Sequence, residues 1–249
     1  MDRSDTNAHW TESPVTLRRL ARVGTATLST QLFARGFRTR CPHGVAPLRS
    51  GQRLVGAART LRFVPMREDL DSLASLASGG NAQRAIVERI GPGEVVVIDA
   101  SGDTRAGSLG DILARRLQER GAAGIVTDGA LRDVSRLAEL NLPAFAAGRA
   151  PNPSLVAHHP VDIDVPIGCG GVLVEPGDAV VGDDDGVVVI PADLVIEVAA
   201  DAWAQERQEA FVYRLVEAGA RTSDVYPMNE ETRRAYEAWT ETHPDEDEG

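Results

Sequence analysis

The stretch Ala106–Asp133, AGSLGDILARRLQERGAAGIVTDGALRD, decides the fold. Leu109, Ile112, Leu113 and Leu117 recur at helical spacing, which predicts a helix over 110–120 with one apolar face. A Gly-rich turn opens this helix and Gly121 closes it. Arg115, Arg116 and Arg120 lie toward its C-terminus, where the helix dipole favours cations. The apolar run 124–128 reads as a strand that ends in a loop carrying Asp128, Arg132 and Asp133. Upstream, Gly91-Pro92-Gly93 turns the chain into Glu94–Asp99, EVVVID, a continuous apolar run of the kind buried within a sheet. Strand, helix and strand make a β-α-β unit. Its crossover is right-handed in nearly all sheets, which sends the ends of both strands to one sheet edge. Asp99, the loop 102–110 and the loop 128–133 are expected to converge there.

Outward from this unit, the N-terminal side reads as a flexible arm over 1–12 and then helix from Ser13-Pro14. The apolar spacing over 15–35 predicts two helices broken near Gly24, the second ended by Gly36. Cys41-Pro42-His43-Gly44 is a turn, 53–64 is β-like, and 68–77 and 82–90 look helical on either side of Ser78-Gly79-Gly80-Asn81. On the C-terminal side a short helix over 134–140 stops before Pro143, and 144–147 is a further strand. Over 161–190 short apolar runs alternate with Pro-Gly and Asp-Gly turns, the pattern of antiparallel hairpins. A long helix covers 191–219, and 220–240 is a partly ordered extension bearing Tyr226, Tyr236 and Trp239. Residues 241–249 form an acidic disordered tail. With no repeat and no linker, the chain is expected to be a single α/β domain over 13–240.

Composition narrows the chemistry. The 249 residues are 43% hydrophobic and 25% charged, ordinary for a globular domain. No apolar run approaches the roughly 20 residues that span a bilayer, and no apolar leader opens the chain, so a cytoplasmic location and no membrane partner are expected. A net charge of -11 argues against nucleic acid as a partner. All 26 basic residues are Arg, and the chain contains no Lys. Schiff-base aldolases, pyridoxal-phosphate enzymes and P-loop nucleotidases all need a lysine amine, so these classes are excluded as self-contained activities. Cys41 and Cys169, far apart, read as small buried hydrophobes.

Taken singly, the candidate site residues have plain explanations. Asp111 complements the helix dipole, Asp133 precedes Val134 as an N-cap, and Arg132 is a surface arginine. Together at one sheet edge they suggest more. Two carboxylates hold a hard divalent ion such as Mg2+ with waters, and an Arg neutralises a developing oxyanion. Ser108 sits in a near match to a nucleophile elbow, but several loop residues separate it from the preceding strand, which argues against a hydrolase. Gly168-Cys169-Gly170-Gly171 lacks dinucleotide-binding spacing. Asp183-Asp184-Asp185-Gly186 reads as a hairpin turn, and His158-His159 as a surface loop.

Gly110-Asp111 and, twenty residues beyond Asp111, the Arg132-Asp133 that ends Asp128-Gly129-Ala130-Leu131-Arg132-Asp133, together with PIGCGGVLVEPGDAVVGDDDGVVVIP, resemble the RraA-like family. That family includes class II 4-hydroxy-4-methyl-2-oxoglutarate/4-carboxy-4-hydroxy-2-oxoadipate aldolases and protein regulators of ribonuclease E. The resemblance covers roughly residues 22–219. It implies an α/β/α sandwich with a central β-rich core and a long C-terminal helix, assembled as a homotrimer or a dimer of trimers with sites between subunits. It implies Asp133 as the direct ligand of Mg2+ or Mn2+, Asp111 as the holder of metal-bound water, and Arg132 at the keto oxygen of a small 2-oxo acid. The amides of Gly107, Ser108, Leu109 and Gly110 would take the substrate carboxylate. Glu209 from a neighbouring subunit would approach the metal waters, with Glu206 one helical turn away. Where many relatives carry an acid after the Thr-Ser run, this chain has Thr30-Gln31.

The implied function is a metal-dependent lyase that cleaves a 4-hydroxy-2-oxo acid to pyruvate and a carbonyl product. Oxaloacetate decarboxylation passes through the same enolate and is an expected side activity. The alternatives are a non-enzymatic regulator of ribonuclease E and a lyase or dehydratase acting on another sugar-derived oxo acid.

Overall fold

The computed structural model describes residues 9–72, 74 and 80–243. Its strands are β1 (Ala46–Pro47), β2 (Leu54–Pro65), β3 (Glu94–Asp99), β4 (Gly107–Leu109), β5 (Gly124–Leu131), β6 (Ala144–Arg149), β7 (His158–Ile163), β8 (Ile167–Cys169), β9 (Val172–Val174), β10 (Ala179–Asp183) and β11 (Gly186–Ile190). Its α-helices are α1 (Pro14–Arg22), α2 (Thr25–Ala34), α3 (Ala82–Arg89), α4 (Asp111–Glu119), α5 (Val134–Leu137), α6 (Val195–Glu217), α7 (Thr222–Val225) and α8 (Glu230–Thr242). The β-α-β unit is present as β3, α4 and β5, with β3 and β5 parallel neighbours in register Val96↔Ile125.

The main sheet runs β1-β6-β5-β3-β2-β10-β11, with β4 added to β5 and β7 to β2. The β2, β3, β5 and β6 pairings are parallel, and β10 and β11 continue the sheet as an antiparallel hairpin. The far strands β1 and β11 approach each other, so the sheet curls until it is nearly a closed barrel.

The two-residue alternation of strands sorts their side chains between inside and outside. Val95 and Val97 of β3 point inward with Val126, Val180 and Val189. Val96 and Ile98 point outward to the layer that holds Ile86 of α3 and Leu117 of α4. On β10 and β11, Val181 and Ile190 point outward to Leu20, Leu28 and Val198 of α1, α2 and α6. Helices therefore flank two sides of a curled β core, the mixed α/β single domain expected, with the long helix near its C-terminal end. Two helices meet at Gly24 as predicted, and Asp183–Gly186 is the hairpin turn between β10 and β11.

Several local expectations are corrected. The arm is not loose throughout: Trp10 is 1% exposed, packs with Leu20 and Val198, and donates its indole N–H to the Gly177 carbonyl at 3.1 Å. β5 does not give way to a loop at Asp128 but continues to Leu131, because β4 and β6 both pair with Ala130. His158 is no surface loop residue; it lies buried in β7, stacked on Phe63. Cys41 is exposed whereas Cys169 is buried. Ile112 is 79% exposed, so the apolar face of α4 is set by Ala114 and Leu117. Beyond α6, Tyr236 and Trp239 of α8 pack on Phe211, giving the C-terminal extension its own aromatic cluster. The structure keeps residues 241 and 242 helical, while 1–8 and 244–249 lie outside the described residues. Of the helix expected over 68–77, residues 68–70 form a turn, and most of the remainder lies outside the described residues. Among the described residues no helix is long and apolar enough to cross a membrane.

Trp10→Ala should cost about 3–5 kcal/mol, the range for removing a fully buried aromatic, and should also orphan the Gly177 carbonyl. Urea unfolding measures this, and a loss below about 1 kcal/mol, typical of surface changes, would mean that the segment before α1 is peripheral.

Candidate functional site

β4 and β5 run side by side, and each delivers its end to the same place. β4 passes through Gly110 into Asp111, the first residue of α4, and β5 passes into Arg132 and Asp133. The Arg132 amide donates to the Leu109 carbonyl at 3.1 Å, which locks the two ends together. Glycine is required on the β4 side by close approach. A Cβ on Gly107 would lie 2.7 Å from the Arg132 Cβ, and one on Gly110 would lie 2.7 Å from Asp133 Oδ2.

Asp133 occupies the cap position before α5 in the left-handed conformation, φ 55°, but its carboxylate makes no cap hydrogen bond. It turns instead toward Gly110 and accepts from Arg132 Nε at 3.1 Å. The capping explanation of Asp133 therefore does not hold. Asp111 accepts its own helix's Ile112 amide at 2.8 Å and the Arg136 guanidinium at 3.0 Å. The Arg136 guanidinium, foremost, holds the Asp111 carboxyl below the usual carboxylate range, with lesser help from the Ile112 amide. Arg136 escaped sequence reasoning because its partner lies on another helix, and three residues of separation from Asp133 carry no signal by themselves.

The turn's amides are not equivalent. The Gly107 amide is committed to the Asn152 carbonyl at 3.0 Å, so Gly107 serves close packing in this structure. Ser108 is fully buried and donates its hydroxyl to the Ala130 carbonyl at 2.9 Å, which removes it as a nucleophile. Leu109 and Gly110 lead directly into α4, where, among the described residues, the first-turn amides have no backbone acceptors and only that of Ile112 is taken, by Asp111. Such a helix start suits an anion.

Asp128, the third acid of the motif, is 5% exposed and does not face the site mouth. Its carboxylate accepts the amides of Ala100 at 2.7 Å, Gly102 at 3.1 Å and Gly170 at 3.2 Å. Burial pushes its carboxyl upward against those three donors.

Glu209 lies on α6, on the other helical layer from α4, and accepts from the Gln205 amide at 2.8 Å. Within one chain it does not meet Asp111 or Asp133. Glu206 is engaged elsewhere: it accepts the Gly24 amide and the Thr27 hydroxyl, both at 2.9 Å, and so anchors the start of α2. Gln31 joins this layer by donating to Gln205 at 2.7 Å.

Asp111 and Asp133 offer hard carboxylate oxygens on either side of Gly110. That donor set fits Mg2+ or Mn2+ and not a tetrahedral zinc site, which needs more protein donors. Among the described residues no three His, Cys, Asp or Glu side chains gather as a closed cage.

A curled mixed sheet whose β-α-β unit presents an Arg-Asp pair to a Gly-Asp helix start defines the class. The chain belongs to the RraA-like family, described as Aldolase/RraA, whose model matches residues 25–189. A Halalkalibacterium halodurans protein, named provisionally as a 4-hydroxy-4-methyl-2-oxoglutarate aldolase, is 39% identical over 151 residues, 59% of this chain and 64% of its own length. A 4-hydroxy-4-methyl-2-oxoglutarate aldolase of Thermus thermophilus is 36% identical over 108 residues, 43% of this chain and 65% of its own. The chain thus spans just under two thirds of the length of these relatives. The crystal structure of Streptomyces coelicolor RraAS2, described as an unusual member of the RNase ES inhibitor RraA protein family, is 38% identical. It superposes with a TM-score of 0.73 over 81% of this chain and 98% of its own.

Gly110 has φ -123°, which any residue adopts, so its requirement is steric. Gly110→Ala should cost about 1–3 kcal/mol in urea unfolding, the usual overpacking penalty. Adding Asp133→Gly, which suits the left-handed backbone and removes the clashing carboxylate, should recover part of that loss. Strict additivity of the two changes would refute the contact.

Proposed function

We propose that this protein is a divalent-metal-assisted carbon-carbon lyase that cleaves a 4-hydroxy-2-oxo acid to pyruvate and a carbonyl product. The observation that carries this reading is the Arg132-Asp133 pair set against Gly110 and Asp111 in a chain without lysine. The aldolase names of the relatives support it.

Asp133 and Asp111 would hold Mg2+ or Mn2+, which when bound supplies Lewis-acid polarisation of the keto group. The rest follows from the chain's own groups. The amides at Ser108–Gly110 and the start of α4 receive the substrate carboxylate. The Arg132 guanidinium, a fixed donor fork, faces the keto oxygen. As the carbon 4 hydroxyl passes its proton to water, its oxygen forms the new carbonyl and the bond between carbons 3 and 4 breaks. The electron pair moves into an enolate whose oxygen charge Arg132 stabilises. Water returns a proton to carbon 3, which gives pyruvate. Oxaloacetate decarboxylation needs the same enolate and the same Arg132, and is the expected side activity.

Glu209 enters only if a second subunit brings its α6 to this α4, which makes a homotrimer or dimer of trimers part of the proposal. Light scattering at micromolar concentration should give such an assembly, and a monomer would remove Glu209 from the site. The description of the Streptomyces coelicolor relative supports a second reading, a non-enzymatic regulator of a ribonuclease that acts by binding the partner protein.

Pyruvate release should be screened over several 2-oxo acids, sugar-derived ones included, with Mg2+ or Mn2+ present. Release that stops with chelator supports the lyase, and release that survives exhaustive chelation contradicts it. Asp133→Asn should lower turnover by at least about 100-fold and weaken Mn2+ binding, because an amide lacks the charge a hard cation needs. Melting of the metal-free protein should stay unchanged, since the carboxylate caps nothing. Wild-type affinity and turnover in this variant would refute the site.

A further inference from the structure

Asp111 is not an idle carboxylate awaiting a ligand. One oxygen accepts its helix's own Ile112 amide, and the other is held by Arg136 at 3.0 Å. Arg136 itself is 77% exposed, projects from the short α5, and has Asp111 as its ion-pair partner. Asp133 is likewise paired, with Arg132. The four groups sum to a formal charge of zero, two carboxylates against two guanidinium groups. The two arginines differ in freedom. Arg132 is pinned by its backbone bond to Leu109 and packed against Gly107 and Gly110, whereas the Arg136 head lies in solvent at the rim.

We infer that Arg136 is a resident counter-cation of the site, which occupies Asp111 in the metal-free protein and must be displaced from it when a divalent ion is taken up. This rests on the metal-assisted reading above. A guanidinium and a dication cannot share one carboxylate face without repulsion, and a unit charge removed from a few ångströms away changes the local potential even in a wet cleft. The pair between an exposed Arg and a carboxylate is weak enough to exchange. Arg136 thus sets how tightly the site takes its ion without being one of the groups that hold it. It keeps Asp111 neutralised and in place on the first turn of α4 until the ion arrives.

The test is Mn2+ binding to the full chain, followed by electron paramagnetic resonance of the free ion, with no substrate present. Arg136→Gln should tighten Mn2+ binding by about threefold or more, and Arg136→Glu by more again, as Coulomb attraction replaces repulsion. Arg136→Lys, which keeps the charge, should stay near wild type. In an Asp111→Asn background the Arg136→Gln effect should shrink markedly, because the carboxylate in contention is gone. Melting of the metal-free variants checks that each is folded. Unchanged or weaker Mn2+ binding in Arg136→Gln, with wild type binding the ion and Asp133→Asn losing it, would overturn the exchange and leave the metal site standing. No Mn2+ uptake by either wild type or Arg136→Gln would overturn both.

Discussion

A single buried carboxylate ties the working end of this protein together. Asp128 sits inside β5 and accepts amides from two segments, the turn after β3 and the hairpin of β8 and β9, which Asp99 also joins by accepting the Gly168 amide. Burying a carboxylate is costly, and only several good donors offset it. The turn it fixes is the one that leads to β4, and β4 determines where Gly110 and Asp111 stand relative to Arg132 and Asp133. The geometry of the site is thus downstream of a residue that does not face it.

The second theme is close approach. β4 and the end of β5 come near enough that two glycines are needed where any side chain would strike Arg132 or Asp133. Asp133 takes a left-handed backbone that most residues avoid, and does so without any cap hydrogen bond to account for it. A left-handed Asp beside a tight glycine turn aims its carboxylate across the gap instead of along the following helix. Local backbone cost is thereby exchanged for placement of charge. The arrangement is also electrically balanced, with each acid facing an arginine that offsets the repulsion between the two carboxylates.

The β-α-β unit, the two helices at Gly24, the hairpins after 161 and the long helix were legible in the sequence because each is set by periodicity and punctuation within a short window. The candidate acids and Arg132 were legible as a cluster because the crossover rule places strand ends together. What escaped was everything settled by partners distant in the chain. Trp10 reads as part of a polar arm, yet a pocket under Gly177 takes it. His158 reads as loop, yet β2 pairs with its strand and Phe63 stacks on it. Asp128 reads as part of the loop that carries Arg132 and Asp133, yet strand pairing on both sides of β5 draws it inward.

The sequence by itself determined the menu of chemistry. Without a single lysine an imine mechanism is closed, and a Gly-Asp helix start opposite an Arg-Asp strand end leaves anion and cation chemistry open. Only the tertiary structure decided which acids stand side by side. Asp111 and Asp133 flank Gly110, Asp128 turns into the core, and Glu206 is consumed in holding α2 while Glu209 stands on the other helical layer. The reason is that carboxylates are alike in sequence and differ only in their hydrogen-bond donors, which are supplied by backbone and side chains folded in from elsewhere.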